Sequence, residues 1–276
     1  MTDKTPSHLS ADTAAELARA QGLTVPQFML SLLPQVKELA RPPISNFRVG
    51  AVALGQSGAL YFGCNVEFPG QALSAVVHAE QAAVANAWHH GERGVTSLAV
   101  SAAPCGYCRQ FLHELASAPT LTILLPDHPA TPLAAFLPDA FGPQDLGVAG
   151  GLMAPQDHGL VLETPSSDPL LLAALEAANA SYTPYTGNNA GVALRLSDGS
   201  LISGRYAENA AYSPSLSPLQ AALARLVLDG RDFGEIAAAA LVERRAAASQ
   251  ADATRTVLAS IGAVPLTIAL AHPLQR

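Results

Sequence analysis

The sequence has few cysteines, no run of basic residues and no long apolar stretch. Its three cysteines are Cys64, Cys105 and Cys108, and the last two are only three positions apart. An odd count with this spacing disfavours a disulfide framework and favours metal or redox chemistry. The formal charge is −7 and no Lys or Arg cluster is present, whereas proteins that bind phosphate backbones usually show a basic patch. We therefore expect a small substrate of little charge and no nucleic-acid partner.

The sequence also shows no apolar segment of the kind that membrane or export signals require. No apolar stretch approaches the roughly 18 residues that a membrane-spanning helix needs. The first residues, MTDKTPSHLS, lack the apolar centre of a signal peptide. We expect a cytoplasmic protein with no membrane partner.

A chain of 276 residues is long enough for two domains. Helical periodicity runs to residue 40, where Arg41-Pro42-Pro43 ends it. Strand and helix patterns then alternate in the order β-β-α-β-α-β, which predicts a layered α/β unit. We predict four regions: an N-terminal helical segment (1–40), a first α/β domain (41–125), a connector rich in Pro and Gly (126–169) and a second α/β domain (170–276).

The second domain repeats the first. Short stretches recur about 140 positions later, with the turn glycines preserved, which indicates an internal duplication. The recurrences are Val52-Ala53-Leu54 at Val192-Ala193-Leu194, Gly58 at Gly199, Gly63 at Gly204, Glu67 at Glu208, and Gln81-Ala82-Ala83 at Gln220-Ala221-Ala222. At the last offset Ser217 stands opposite His78 and Leu219 opposite Glu80, and no cysteine follows Cys108. We expect the second copy to have a structural role.

The residues that carry chemistry lie in the first copy. His78-Ala79-Glu80 is followed by Pro104-Cys105-Gly106-Tyr107-Cys108. An imidazole and two thiolates are three good ligands for one Zn²⁺, and they leave a fourth tetrahedral position for water. Cys105 and Cys108 would share one face at a helix N-terminus, where free N–H groups favour thiolate. His78 must then lie at the very start of its helix, because residues two apart inside a helix point to opposite sides.

Glu80 is the candidate general base and acid. A carboxylate next to a zinc-activated water can accept its proton and return it to the leaving amine. The pattern H-x-E…P-C-x-x-C is the signature of the zinc nucleobase deaminases. It predicts that the first domain is the catalytic one.

The chain resembles, almost from end to end, the long bacterial cytidine deaminases that contain two copies of the domain and form homodimers. The stretches that carry the resemblance are Ser45-Asn46-Phe47-x-Val49-Gly50-Ala51, Asn65-Val66-Glu67-Phe68, His78-Ala79-Glu80-Gln81, Pro104-Cys105-Gly106-Tyr107-Cys108-Arg109-Gln110, Pro138-Asp139-Ala140-Phe141-Gly142-Pro143 and Tyr206-Ala207-Glu208-Asn209-Ala210-Ala211. The resemblance implies a three-layer α/β/α sandwich, duplicated within the chain. It also implies hydrolytic deamination of cytidine and deoxycytidine, in pyrimidine salvage.

The resemblance further implies the substrate contacts. Asn65 and Glu67 would bind the ribose hydroxyls, Phe47 would pack on the pyrimidine, and the backbones of Ala79 and Ala103 would contact the base. The partner subunit would contribute Phe141 and Tyr212, although the family usually has Phe where Tyr212 stands. Independently of the resemblance, an amide and a carboxylate two residues apart at a strand end point to the same side and can bracket a pair of hydroxyls.

Several alternatives stay open at this stage. The chemistry could serve another substrate, such as a modified cytosine nucleoside, a nucleotide or a nucleic-acid base, or the zinc could be purely structural. Arg109 could steady the sulfurs or be ordinary surface. Cys64 could be a fourth ligand, but it would close the catalytic position, so we expect a buried free thiol. The recurrence of Glu67 as Glu208, in a copy without zinc ligands, suggests that part of its role is structural.

Overall fold

The structure is a computed structural model that describes residues 6–274. Residues 1–5, at the start of the predicted N-terminal segment, and residues 275–276, at the end of the second copy, lie outside it. No helix within the described range combines the length and the apolarity that crossing a membrane requires.

The secondary structure follows the predicted order. The first part of the chain contains β1 (His8–Leu9), α1 (Ala11–Ala20), α2 (Val25–Val36), β2 (Gly50–Gly55), β3 (Leu60–Cys64), α3 (Ala79–His89), β4 (Val95–Val100), α4 (Gly106–His113) and β5 (Thr122–Leu124). The middle part contains β6 (Thr131–Pro132), α5 (Leu133–Phe136) and β7 (Leu160–Leu162). The last part contains α6 (Pro169–Asn179), β8 (Ala190–Leu196), β9 (Leu201–Arg205), α7 (Pro218–Leu228), β10 (Ile236–Arg244), α8 (Ala251–Ile261) and β11 (Leu266–Pro273).

Two sheets have the same central arrangement. The first sheet has the order β1-β3-β2-β4-β5-β6, and the second has the order β7-β11-β10-β8-β9. In each sheet the first two long strands pair as an antiparallel hairpin, the third pairs antiparallel with the first of them, and the fourth lies parallel to the third. The internal duplication predicted from the sequence is therefore confirmed.

Helices cover both faces of each sheet, and glycines allow the closest approach. A Cβ at Gly63 would lie 2.2 Å from the carbonyl oxygen of Ala79, and a Cβ at Gly204 would lie 2.2 Å from that of Pro218. These two positions hold α3 and α7 directly against the sheets. On the opposite faces, α2 packs on the first sheet and α6 on the second. The result is the predicted three-layer α/β/α sandwich, present twice.

The two copies meet through α3 and α7. Each of these helices carries a glutamine in its first turn that bonds across the interface. Gln81 Nε2 donates to the carbonyl of Pro214 at 3.2 Å, and Gln220 Nε2 donates to the carbonyl of Ala75 at 2.8 Å. One continuous apolar core runs through both copies. The second copy is thus packed against the helix that begins at His78.

Element ends differ from the sequence expectation by a few residues. The N-terminal helical segment is two helices, and the break falls at Gly22, which has a left-handed φ of +68°. The helices of the candidate site begin at Ala79 and Gly106, because His78 and Cys105 before them are extended cap residues. The connector also supplies the edge strands β6 and β7, one to each sheet.

Candidate active site

Two helix N-termini converge to form the site. His78 is the cap residue of α3, with φ −85° and ψ 153°, and Glu80 follows in the first turn. Cys105 is the cap residue of α4, with φ −70° and ψ 168°, and Cys108 follows in the first turn. This is the arrangement that the spacing of His78 and Glu80 requires, because the extended cap residue lets both side chains turn to the same site.

The three candidate ligand atoms have the spacing of a zinc site. The Cys105 Sγ lies 3.7 Å from the His78 Nδ1 and 3.7 Å from the Cys108 Sγ, and all three donor atoms lie within 4.8 Å of one another. Tetrahedral zinc, with Zn–S bonds of about 2.3 Å, separates two sulfurs by about 3.7–3.8 Å. The residues therefore fit a zinc ion held by one imidazole and two thiolates. Among residues 6–274, this is the group of His, Cys, Asp and Glu side chains that lie close enough together to hold a metal ion.

The helix N-terminus favours a thiolate at Cys105. The pKa of Cys105 is lowered to about 5, first by a hydrogen bond from the Cys108 thiol and then by backbone N–H groups of Cys108 and Tyr107. The pKa of Cys108 is raised, because it donates to Cys105 and because it is buried. A cation between the two sulfurs would replace that shared proton. The stacked ring of Tyr107, 5.2 Å from the His78 ring, holds the imidazole in place.

Glu80 is buried beside the ligands, with 4% of its surface exposed. Burial raises the pKa of its carboxyl group. A carboxyl group with a raised pKa in a cleft is a candidate for proton transfer. Its position next to three metal ligands is what a proton-transfer residue needs.

A cavity of about 280 Å³ opens from this centre. It brings together two of the predicted ligands, His78 and Cys105, and the predicted substrate contacts, which are far apart in the sequence. The lining residues are Ser45, Phe47, Val49, Asn65, Glu67, Val76, His78, Ala79, Glu80, Ala102, Ala103 and Cys105. Phe47 is 60% exposed and stands at the edge of the cavity.

Glu67 and Asn65 also hold the loop that carries Phe47. Glu67 accepts hydrogen bonds from Ile44 N at 2.8 Å, Ser45 N at 2.9 Å and Ser45 Oγ at 2.5 Å. Burial alone would raise the pKa of Glu67, but these hydrogen bonds lower it overall. Asn65 accepts from Val49 N and donates to the Phe47 carbonyl, both at 2.9 Å. A carboxylate and an amide have more bonding sites than these, so each retains capacity for a ligand.

The second copy repeats the Glu67 arrangement. Glu208 accepts from Tyr185 N, Thr186 N and Thr186 Oγ1. Since the second copy has no zinc ligands, this set of bonds serves the backbone. Glu67 makes the equivalent bonds in the first copy, so part of its role is structural, as its recurrence in the sequence suggested.

Cys108 is buried beside the other candidate ligands but does not line the cavity, and three further predicted residues also lie outside it. Phe141 and Tyr212 are 47% and 65% exposed. Gln110 Nε2 donates to the Phe141 carbonyl, and the Gln110 carbonyl accepts from Asn209, three residues before Tyr212. Arg109 donates to the carbonyls of Pro104 at 2.8 Å and Phe136 at 3.0 Å. It therefore holds the residue before Cys105, and its donation to the sulfurs stays a prediction.

Cys64 is a free, fully buried thiol outside the ligand group. Burial raises its pKa to about 12. Two residues were missed by the sequence reasoning: Ser45, which lines the cavity, and Gln81, whose Oε1 accepts from His78 N at 3.2 Å. The repeat held a signal for both, because Ser45 recurs as Thr186 and Gln81 as Gln220.

Comparison with known proteins agrees with this geometry. Two family models match the chain, one over residues 24–123 and one over residues 133–255, and both describe a cytidine and deoxycytidylate deaminase zinc-binding region. The chain thus consists of two regions of the zinc-binding deaminase class. The family models bear out zinc as the cofactor, and the group of His78, Cys105 and Cys108 could hold it.

Similar proteins place the chain more closely. It is 44% identical over 267 residues to the cytidine deaminase of Shewanella pealeana, with 96% of this chain and 90% of that protein covered. It is 46% identical over 261 residues to that of Photorhabdus laumondii, covering 94% and 88%. The solved structure of cytidine deaminase from Mycobacterium tuberculosis is 35% identical to this chain, with a TM-score of 0.38. The match covers 42% of this chain and 96% of the Mycobacterium tuberculosis chain. The chain belongs to the cytidine deaminase family.

The ligand set makes a prediction about zinc content. We expect Cys105→Ala to lose most of the bound zinc, because one of three protein ligands is removed. Cys64→Ala is the matched control, since it also removes a thiol in the same copy but one outside the ligand group. Metal analysis of the purified proteins should find about one zinc per chain in the wild type and in the control. Equal zinc in both variants would contradict this ligand assignment.

Proposed function

We propose that this chain catalyses the hydrolytic deamination of cytidine and deoxycytidine to uridine and deoxyuridine, with release of ammonia. The observation that supports it most is that one cavity is lined by Glu80, by the candidate ligands His78 and Cys105, and by Phe47, Asn65 and Glu67. We keep the domain limits 41–125, 126–169 and 170–276 as part of the proposal, together with a role in pyrimidine salvage. A cytoplasmic location stays a prediction from the sequence.

His78, Cys105 and Cys108 would hold the zinc ion. When bound, zinc supplies a Lewis acid that lowers the pKa of a water molecule to roughly 7. Glu80 then has two tasks at its carboxylate: it accepts the proton of the attacking water, and it delivers protons to the ring nitrogen and to the leaving amine. The buried position of Glu80 keeps these protons away from bulk water. Cytidine and one water thus give uridine and ammonia.

The proton-transfer role can be tested by Glu80→Gln. The amide cannot carry the proton, so we expect kcat for cytidine to fall about 10²–10⁴-fold or more while zinc content stays unchanged. The control is Glu92→Gln, which alters another buried carboxylate of the same copy, bonded to Ser57 and Tyr61 away from the cavity. Cytidine turnover is followed by the loss of its absorbance. A Glu80→Gln protein with normal kcat would refute the assigned role.

Asn65 and Glu67 would recognise the ribose. Their side chains line the cavity, and after the loop bonds each retains hydrogen-bonding capacity. A site built to bind sugar hydroxyls discriminates strongly against a ligand that lacks them, because its buried polar groups are then left unpaired. This favours a nucleoside over free cytosine.

Comparison of Glu67 with Glu208, its counterpart in the second copy, can separate the structural role of Glu67 from its role in ribose binding. Glu67→Gln and Glu208→Gln each disturb the same three bonds, so both should lower the free energy of unfolding by about 1–3 kcal/mol. Only Glu67→Gln should also lower kcat/KM for cytidine, by about 10–100-fold through a raised KM. Urea unfolding and steady-state kinetics measure the two effects. If both variants keep the wild-type KM, Glu67 has no part in ribose binding.

We also propose that the chain acts as a homodimer in which Phe141 and Tyr212 complete the partner's pocket. Both aromatic side chains are exposed, and neither lines the cavity of its own chain. Other exposed apolar side chains, Ile44 and Leu73, lie near the cavity residues Ser45 and Val76. A two-fold dimer presents the same patch on both subunits, so it would cover both sets at once.

Subunit complementation tests this arrangement. We expect Phe141→Ala and Glu80→Gln proteins to be poorly active alone but to regain activity when coexpressed. In the mixed dimer, one pocket has its own Glu80 and receives an intact Phe141 from the partner. Sedimentation analysis gives the oligomeric state, and cytidine turnover gives the activity. Coexpressed activity no higher than that of Phe141→Ala alone would place Phe141 outside the partner's site.

A further inference from the structure

We infer that the second copy braces the zinc-binding helix α4 through Glu114, a positioning residue for the metal centre. The importance of this brace for catalysis rests on the proposed function, whereas its effect on zinc binding does not. Glu114 is the C-terminal cap residue of α4, the helix whose N-terminal cap is Cys105. It is fully buried, with 0% of its surface exposed.

All side-chain partners of Glu114 come from the second copy. Its Oε1 accepts from Tyr182 Oη at 2.8 Å and from Tyr185 Oη at 2.5 Å, and its Oε2 accepts from Ala210 N at 2.9 Å. Burial and the hydrogen bond to Glu114 raise the pKa of both tyrosines, so they stay protonated donors. Three neutral donors thus surround one buried carboxylate.

A buried carboxylate at this point specifies position more than it adds stability. Burying a charge is unfavourable unless it is fully hydrogen-bonded, so the end of α4 is favoured only where all three donors meet it. The donors belong to two loops of the second copy, one before β8 and one after β9. The carboxylate therefore sets the position of α4 relative to both loops.

The helix transmits this position to the zinc ligands. Cys105 and Glu114 cap the two ends of one short helix and are about 13 Å apart along its axis at 1.5 Å per residue. Asn209 Nδ2 adds a bond to the carbonyl of Gln110, in the middle of the helix, at 3.0 Å. A displacement of the Glu114 end would tilt the sulfurs of Cys105 and Cys108 away from His78.

The other ligand-bearing helix is tied to the same part of the second copy. Gln81 accepts from His78 N through its Oε1 and donates to the Pro214 carbonyl through its Nε2. The segment 209–214 thus contacts both α3 and α4.

Zinc release tests the brace without any substrate. We expect the double variant Tyr182→Phe/Tyr185→Phe to release zinc to a chromogenic chelator about tenfold faster or more than the wild type. The single variant Tyr182→Phe, which keeps two of the three donors, should show a smaller increase and serves if the double variant folds poorly. In the cobalt-substituted proteins, the visible absorption bands of the double variant should shift, because they report the ligand geometry.

Tyr61→Phe is the matched control. It also removes a buried tyrosine hydroxyl that donates to a buried carboxylate, Glu92, but both residues belong to the first copy. Urea unfolding of each variant shows how far stability falls. We expect Tyr61→Phe to keep the wild-type rate of zinc release and the wild-type cobalt spectrum. Wild-type release from the double variant, or equal acceleration in the control, would overturn the brace. A wild-type protein that holds zinc but leaves cytidine unchanged would contradict the proposed substrate and leave this comparison valid.

Discussion

The structure depends on the meeting of two helix N-termini. One imidazole, two thiols and a carboxyl group lie close together, with Cys108 and Glu80 buried, and such a group is unfavourable without compensation. The compensation comes from the Cys108 thiol and from the free N–H groups at the start of α4, which stabilise a thiolate at Cys105, and from a geometry that fits one zinc ion. The first sheet packs against α3, and the second copy bonds to both α3 and α4.

The duplication separates the frame from the chemistry. Both copies retain a glycine under the site helix, a glutamine in its first turn and a carboxylate that holds the preceding loop. The second copy has Ser217 and Leu219 where the first has His78 and Glu80. The same backbone therefore supports a polar metal centre or an inert helix start, and a few side chains decide which.

The geometry also separates the proposed function from its rivals. A structural zinc module normally closes its coordination with four protein ligands, whereas three converge here among the described residues and the cavity opens beside them. Glu80 would have no purpose in such a module. Two observations count against a nucleotide or polynucleotide substrate. The carboxylate of Glu67, which lines the cavity, would repel a phosphate group bound near it, and the formal charge of the chain, −7, would also repel phosphates.

The sequence alone predicted the duplicated α/β pattern, the candidate zinc ligands His78, Cys105 and Cys108, and the candidate proton-transfer residue Glu80, because these depend on local spacing and on recurrence along the chain. Only the tertiary structure decided how Glu67 divides its bonds, where Arg109 donates, and which residues hold α4. Glu114 and its donors lie 68 to 96 positions apart, and no periodicity or repeat links them. Such hydrogen bonds depend on how the two copies pack, so local patterns in the sequence do not reveal them.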